Sequence, residues 1–265
     1  MTPIYISSKD NPRIKNVCKL LSSAKERQKT GLFAAEGMRL CSDVYASGLK
    51  IQSLFYTKQA LERYGSELEL LISAASEVFE TERTVFEKMG DTVTPQGVLA
   101  VCRIPDLNKR PDFRGRYIAM ERVTDPSNLG AVARSAEAFG ISGIILGGSG
   151  CDPFSPKALR ASMGALVRLP VFLCPDFTAA VPQMKNAGAR VIGTVVRNGE
   201  NLCDFAFKNS DVVVIGNEAE GLSDETAAVC DHNVTIPMSG RAESLNAATA
   251  ATVFIWEMTK GGANE

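Results

Sequence analysis

Three motifs in the second half of the chain place polar residues directly after an apolar run, and their residue types suit ligand binding. They are the first motif, Glu121–Ser135, the second motif, Val214–Leu222, and the third motif, Val234–Asn246. The first contributes the amide of Asn128, which is also predicted to cap the helix that follows, and a permanent cation at Arg134, since a guanidinium stays protonated in proteins. The second carries the carboxylate of Glu218 between glycines. Taken singly, each motif also fits a structural role, because surface arginines and polar turns are common.

The third motif predicts a strand that ends between Ile236 and Met238, a loop containing Gly240, and a helix. The helix is predicted to open at Ser244 or Asn246 and to run to about Lys260, because Ser and Asn cap the free N–H groups of a helix start. Its first turns consist of Ala and Thr. Small residues on every face suit a helix whose backbone lies close to a ligand. They equally suit a helix packed tightly against another segment of the protein, and both interpretations stay open.

Composition excludes several kinds of site. The chain has one histidine, His232, which disfavours Ser-His-Asp catalysis and histidine-rich metal sites. Its seven cysteines are widely spaced without a Cys-x-x-Cys pair, as expected for reduced thiols in a core. The glycines at 147, 148 and 150 do not complete a dinucleotide-binding fingerprint, and no phosphate-binding loop of the Gly-x-x-x-x-Gly-Lys type occurs.

The pattern of apolar runs predicts two α/β domains. Residues 1–105 read as a small sandwich of strands and helices, and the proline-bracketed, polar stretch Pro105–Asp112 reads as a linker. Beyond it, strands are predicted at residues 117–123, 143–146, 169–173, 190–196, 211–215 and 234–238, separated by helical stretches. Apolar strands alternating with helices predict a parallel sheet covered on both faces, with ligands bound at the carboxyl ends of its strands.

The basic residues are concentrated at the start of the chain. Residues 1–40 contain eight Lys or Arg against three Asp or Glu, whereas residues 121–265 contain eleven against sixteen. A first helix is predicted from the cap Asn11 and from Pro12, and one of its faces is basic. The basic residues there are Arg13, Lys15, Lys19 and Lys25. This face fits a phosphate-steering arm, and it also fits an ordinary solvated helix face.

Together, in this order at successive strand ends, the three motifs closely resemble those of the SpoU-type (TrmH-like) RNA 2′-O-ribose methyltransferases of the SPOUT class. The resemblance covers Arg116 to Lys260, including Asp152–Ala165, and residues 1–105 resemble less specifically the L30e-like substrate-binding domain that precedes many such catalytic domains. It implies an L30e-like RNA-binding domain over 1–105, a linker over 106–115 and a methyltransferase domain over 116–265. It also implies a deep trefoil knot in the parallel sheet, and a homodimer with its active site near the subunit interface.

The resemblance further implies a cofactor and the residues of a site. The cofactor is S-adenosyl-L-methionine, with no metal expected, and its contacts fall on Gly216, Ile236, Met238 and Leu245. The catalytic residues fall on Arg134 as the central one and on Asn128, Ser244 and Asn246 around it. Arg134 is interpreted as a cation that binds phosphate and stabilises the developing alkoxide, although a general-base role stays open, as does the role of Glu218.

The partner implied is RNA, with ribosomal RNA preferred over transfer RNA, bound by Arg13, Lys15, Lys19 and Lys25. No apolar run is long enough to cross a bilayer and the N-terminus lacks the unbroken apolar core of a signal peptide, which predicts a cytoplasmic protein. Two rival functions stay open. One is a non-catalytic RNA-binding protein that retains the knotted fold, and the other is an ordinary doubly wound nucleotide-dependent enzyme.

Overall fold

The computed structural model describes residues 2–90, 92 and 94–260. In the first part of the chain, the strands are β1 (Ile4–Ile6), β2 (Leu32–Glu36), β3 (Ile51–Thr57), β4 (Glu77–Thr81) and β5 (Val98–Arg103). The helices there are α1 (Pro12–Ser22), α2 (Ala24–Thr30), α3 (Met38–Ala46), α4 (Lys58–Tyr64), α5 (Ser66–Ala74) and α6 (Arg83–Met89).

After the linker the strands resume at Tyr117. They are β6 (Tyr117–Glu121), β7 (Gly143–Gly147), β8 (Val171–Cys174), β9 (Arg190–Thr194), β10 (Glu200–Asn201), β11 (Asp211–Ile215) and β12 (His232–Thr235). The helices are α7 (Pro126–Ala138), α8 (Pro156–Ser162), α9 (Ala165–Arg168), α10 (Phe177–Asn186), α11 (Asp224–Val229) and α12 (Ala247–Thr259), with a short 3₁₀ turn at Leu202–Asp204. No helix within the described ranges is both long and apolar enough to cross a membrane.

The chain divides into two compact units, one of which combines Met1–Pro105 with Phe154–Arg168. This unit contains a mixed sheet with the strand order β1-β4-β3-β5-β2. The later segment, which holds α8 and α9, belongs to it through apolar and ionic contacts. The rings of Phe33 and Phe154 lie 4.8 Å apart, and Arg168 Nη1 lies 2.7 Å from Asp43 Oδ1.

The second unit, Asp106–Pro153 with Leu169–Glu265, is built on a seven-stranded sheet in the order β10-β12-β9-β11-β6-β7-β8. Every pairing in it is parallel. Strands β6, β7 and β11 are buried along their whole length, as expected for a parallel sheet covered on both faces. Helix α10 packs on one face around Val212 and Val214, while α12 contacts β11 and α7 contacts β7. The predicted parallel α/β sheet is therefore confirmed, whereas the knot stays a prediction.

Two local predictions differ from the structure. The last strand ends at Thr235 and not at residues 236–238, because Pro237 has no N–H group to donate to the neighbouring strand. The cap of α7 is Asp125, whose side chain accepts from the N–H of Ser127, so Asn128 lies inside the first turn. Pro126 fixes this arrangement, since proline favours the first helical position and leaves the residue before it as the cap.

Asp211, the first residue of β11, makes a buried ion pair that suits a stability test. Its side chain is 0% exposed and accepts from Arg190 Nε at 2.8 Å and from Nη2 at 2.7 Å. We expect Asp211→Ala to lower the free energy of unfolding by about 3–5 kcal/mol, because Arg190 would lose its partner in a half-buried position. Denaturant titration measures this.

The matched control for Asp211→Ala is Glu200→Gln in the same unit. Glu200 pairs with His232 but its side chain is 56% exposed, so the loss should stay below about 1 kcal/mol. Equal losses for the two variants would contradict the assignment of a stabilising role to the buried pair.

Candidate functional site

The three motifs meet at one edge of the seven-stranded sheet. The first motif follows β6, the second follows β11 and the third follows β12, and these strands are parallel members of the run β12-β9-β11-β6. Because parallel strands end at the same edge, loops that are far apart in sequence come together there. The edge is the one at which open α/β sheets bind ligands.

A pocket of about 200 Å³ opens at this edge between the second and third motifs. Its lining includes all four residues predicted to contact the cofactor, namely Gly216, Ile236, Met238 and Leu245, together with Glu218 and Ser244. The other lining residues were not predicted from the sequence as cofactor contacts: Thr194, Val195, Val196, Ile215, Asn217, Ala219, Glu220, Gly221, Leu222, Thr235, Ala247, Ala250 and Phe254. The segment after β9 could have been found, since its strand ends at the same edge as β11 and β12.

The second motif forms a tight loop that turns back on itself. Asn217 and Gly221 exchange two backbone hydrogen bonds, each of 2.9 Å. A Cβ atom on Gly216 would lie 2.1 Å from the backbone carbon of Gly221 and 2.1 Å from the nitrogen of Leu222. Gly216 is therefore required by the returning backbone of its own loop, and this loop forms one wall of the pocket.

The side chain of Asn128 connects all three motifs. Its Nδ2 donates to Glu218 Oε1 at 2.8 Å, and its Oδ1 accepts from Asn246 Nδ2 at 3.0 Å. The Oδ1 of Asn246 in turn caps α12 by accepting from the N–H groups of Ala248 and Thr249. The start of α12 is thus tied to Glu218 through two amide side chains. Of the four predicted catalytic residues, Asn128 and Asn246 are brought into direct contact.

Glu218 binds the backbone of the first motif. Besides Asn128, its carboxylate accepts from the N–H groups of Asp125 at 3.3 Å and of Thr124 at 3.4 Å. Partial burial alone would raise the pKa of this carboxyl group, but the hydrogen bonds from Asn128 and from the backbone outweigh it and hold the pKa below its ordinary value. Glu218 is therefore charged at neutral pH and acts as an acceptor that joins the first and second motifs.

Arg134 lies apart from this network. It is exposed on α7, and six residues of α-helix place it about 120° around the helix axis from Asn128. In the described part of the chain, no hydrogen bond or ion pair reaches its guanidinium. Ser244 is also exposed, at the rim of the pocket. The structure therefore does not bring these two predicted catalytic residues into contact with Asn128.

Helix α7 packs against α12 and carries Arg134 beside that contact. Ser135 Oγ and Thr252 Oγ1 are hydrogen-bonded at 2.8 Å. Near the ends of the two helices the rings of Phe139 and Trp256 lie 5.6 Å apart, edge to face, and are 36% and 53% exposed. The two helices therefore present large apolar side chains to their surroundings on the side of the sheet that holds Arg134.

The basic face of α1 is partly neutralised. Arg13 Nη1 lies 2.7 Å from Glu77 Oε2, and its guanidinium stacks 4.5 Å from the ring centre of Phe79. Lys15 pairs with Asp10 at 3.1 Å. Lys19 and Lys25 are exposed, and within the described ranges no ion pair involves either. The prediction that the first helix carries Lys25 is wrong, because α1 ends at Ser22 and Ser23 caps α2, on which Lys25 lies. Of the four predicted RNA-binding residues, Arg13 and Lys15 are thus engaged in ion pairs, whereas Lys19 and Lys25 are not within the described ranges.

Among the described residues there is no group of three or more His, Cys, Asp or Glu side chains arranged to hold a metal ion.

Comparison with known proteins gives consistent matches over most of the chain. Residues 115–256 match the SpoU rRNA Methylase family, and residues 11–100 match the MRM3-like substrate binding domain. The chain is 33% identical to the 23S rRNA (uridine(2479)-2'-O)-methyltransferase of Streptomyces viridochromogenes, over 94% of this chain and 90% of that protein. It is 30% identical to the 23S rRNA (guanosine(2553)-2'-O)-methyltransferase RlmP of Bacillus subtilis, over 96% and 98%.

Among solved structures, the AdoMet-bound rRNA methyltransferase from Sinorhizobium meliloti superposes with a TM-score of 0.86 at 29% identity. The alignment covers 98% of each chain.

The steric requirement at Gly216 generates the first prediction for the site. We expect Gly216→Ala to weaken S-adenosylmethionine binding about tenfold or more, because the added Cβ must displace the backbone of Gly221 and Leu222, which forms a pocket wall. Isothermal titration calorimetry measures the affinity. Gly240→Ala is the control, since nothing lies within 4 Å of a Cβ built there. Equal affinities for the two variants would contradict the prediction.

Proposed function

The chain belongs to the SpoU rRNA methylase family and is an S-adenosylmethionine-dependent RNA ribose 2′-O-methyltransferase, and we propose that it methylates a ribose of 23S ribosomal RNA. The two relatives with which it shares 33% and 30% identity are named as enzymes of this kind. Family membership with intact motifs gives no support to the non-catalytic alternative or to an ordinary doubly wound nucleotide-dependent enzyme. Activity on ribosomal RNA implies that the enzyme works in the cytoplasm.

The observation that carries this proposal is the position of one pocket. Gly216, Ile236, Met238 and Leu245 line it together, and the Asn128–Asn246 pair lies beside it at the same edge of the sheet. A cofactor pocket next to a polar cluster is the arrangement that methyl transfer to a hydroxyl group requires.

The chemistry of the pocket lining suits S-adenosylmethionine. Ile236, Met238 and Leu245 offer apolar surface for an adenine ring, and Ala247 and Ala250 leave room at the start of α12. Gly216 lets the backbone of its loop approach closely. When bound there, the cofactor would supply an activated methyl group. The polar residues of the second motif and Ser244 would orient the remainder of the molecule at the rim.

The protein must mainly align the ribose and stabilise charge. The ribose 2′-oxygen takes the methyl group in line with the methyl–sulfur bond, which would break to leave the cofactor as a neutral thioether, and the hydroxyl proton is released to solvent. Negative charge therefore develops on that oxygen during the step. We assign Arg134 as the cation that stabilises this charge, since a guanidinium stays protonated and cannot serve readily as a base. Ser244, exposed at the pocket rim, is assigned to positioning the hydroxyl group.

Asn128, Asn246 and Glu218 are assigned to positioning. Asn246 caps α12, whose first turns contribute Ala247 and Ala250 to the pocket, and Asn128 links this cap to the charged Glu218. Their hydrogen bonds hold the first and third motifs in fixed relative positions around the reacting groups.

We infer that the enzyme works as a homodimer through α7 and α12. The outward side of α7 carries the small exposed residues Ala131 and Ala138 on either side of Arg134, and the exposed rings of Phe139 and Trp256 lie nearby. Small residues permit close approach of a second chain, and exposed aromatic rings favour burial in an interface. A second copy seated there would cover Arg134.

Residues 1–105 are assigned to RNA binding, 106–115 to the linker and 116–265 to methyl transfer. The match of residues 11–100 to the MRM3-like substrate binding domain supports the first assignment. Lys19 on α1 and Lys25 on α2, which are free of ion pairs within the described ranges, are the strongest candidates for phosphate contacts in this part of the chain.

The role of Arg134 is tested by substitution. We expect Arg134→Ala to lower the turnover of methyl transfer to 23S ribosomal RNA by about 10²–10³-fold, because the developing oxyanion loses its cation. Affinity for S-adenosylmethionine should stay within about threefold, since Arg134 does not line the pocket among the described residues. Arg134→Lys should restore little, because an ammonium lacks the planar fork of the guanidinium. Near-normal turnover of Arg134→Ala would sink the assignment.

Lys19 on α1 and Lys25 on α2 are tested by the salt dependence of RNA affinity. Lys19→Ala and Lys25→Ala should each reduce the log–log salt slope by about 0.7–0.9 and should raise the Michaelis constant for RNA more than they lower turnover. Arg13→Ala is the matched comparison, because Glu77 already compensates its charge, and its slope should change less. Unchanged slopes for both lysine variants would show that α1 and α2 present only solvated faces here.

A further inference from the structure

Arg122 has an unusual backbone conformation at the functional edge of the sheet. It directly follows β6 and has a φ angle of 52°, in the left-handed region. Residues with a Cβ rarely adopt this region, which glycine occupies freely. Residues held in such conformations cluster at functional sites, and Arg122 lies within the first motif.

The contacts of the backbone do not require an arginine at this position. The N–H of Arg122 donates to the carbonyl of Gly147 at 2.9 Å, and its own carbonyl accepts from Asn217 Nδ2 at 2.7 Å. A glycine would make both bonds without strain. The fold even makes room for the larger side chain, because a Cβ on Gly148 would lie 3.0 Å from Arg122 Cγ.

The side-chain contacts of Arg122 contribute too little to stability to explain why an arginine occupies this position. Arg122 Nη1 lies 3.2 Å from Glu220 Oε2, with side-chain exposures of 38% and 70%. An ion pair so exposed contributes little to folding. The Nε atom of Arg122 is buried and has no hydrogen-bond partner in the described part of the chain. The guanidinium therefore keeps unused donors beside the site.

We propose that Arg122 binds a phosphate group of the RNA substrate next to the methylated ribose, and that this phosphate takes over the guanidinium from Glu220. The inference rests on the proposed function. Exposed residues 148–150, Gly-Ser-Gly, lie next to Arg122 and leave its surroundings open. Arg122 is not itself among the described residues that line the pocket, but its ion-pair partner Glu220 is. The guanidinium therefore lies beside the cofactor pocket, where the backbone of a bound RNA would pass. A guanidinium fork matches the oxygens of a phosphodiester group.

The test uses Arg122→Gly in the full-length protein. Glycine accepts a positive φ, so this variant keeps the backbone and should melt at the wild-type temperature or above it. With 23S ribosomal RNA transcribed in vitro as the probe, the Michaelis constant for RNA should rise about tenfold and the log–log salt slope should fall by about 0.7–0.9. Turnover at saturating RNA and the affinity for S-adenosylmethionine should change less than about threefold, and Arg122→Lys should recover part of the loss.

Substitution of Glu220 provides a second test, in which the affinity for RNA is expected to rise and not to fall. If the RNA phosphate displaces its carboxylate, Glu220→Gln should bind the same transcript more tightly than wild type in a fluorescence anisotropy titration without cofactor. Glu225→Gln, which removes an exposed carboxylate in the first turn of α11, controls for general electrostatics and should have a smaller effect.

An unchanged Michaelis constant and salt slope for Arg122→Gly would overturn the proposal. Equal losses in cofactor affinity and RNA affinity would also overturn it, because Arg122 would then act by holding the second motif. Failure of the proposed function gives a different result, since the wild-type enzyme itself would not transfer methyl groups to the transcript.

Discussion

The site depends on the two hydrogen bonds made by the side chain of Asn128. One reaches Glu218, 90 residues further along the chain, and the other reaches Asn246, 118 residues further along. Asn128 is buried, with 8% exposure, and a buried amide left without partners costs about 1–3 kcal/mol. The three motifs therefore hold one another in a single arrangement, and a shift of any one of them leaves a buried polar group unsatisfied.

A second polar contact lies behind this one and fixes the exit of the second motif. Glu121, the last residue of β6, is 5% exposed and accepts from the N–H of Ser223 at 3.0 Å, from its hydroxyl group at 2.8 Å and from the hydroxyl group of Thr226 at 2.6 Å. The parallel sheet brings the loops to one edge, but it does not by itself fix their positions relative to one another. The buried carboxylate then sets where the second motif ends, and Glu218 sets where it contacts the first.

The periodicity of the sequence was sufficient to predict the parallel sheet and the edge at which its motifs meet, because buried parallel strands are continuous apolar runs. Contacts formed only in three dimensions were not predictable in this way. The packing of Phe154–Arg168 with the first 105 residues depends on the distant partners Phe33 and Asp43. The left-handed conformation of Arg122 depends likewise on Asn217, and no local pattern indicates it.

The exposure of Arg134 constrains how the site can act. Two unit charges 4 Å apart attract by about 1 kcal/mol in bulk water and by about 4 kcal/mol at the effective dielectric constant of 20 found near a protein surface. An arginine surrounded by solvent therefore stabilises a developing alkoxide only weakly. Asn128, Asn246 and Glu218 are organised within the single chain, whereas the role proposed for Arg134 requires that water be removed from its guanidinium. In the proposed homodimer, a second subunit on α7 and α12, together with bound RNA, would provide that cover, so the catalytic role proposed for Arg134 would depend on assembly at this face.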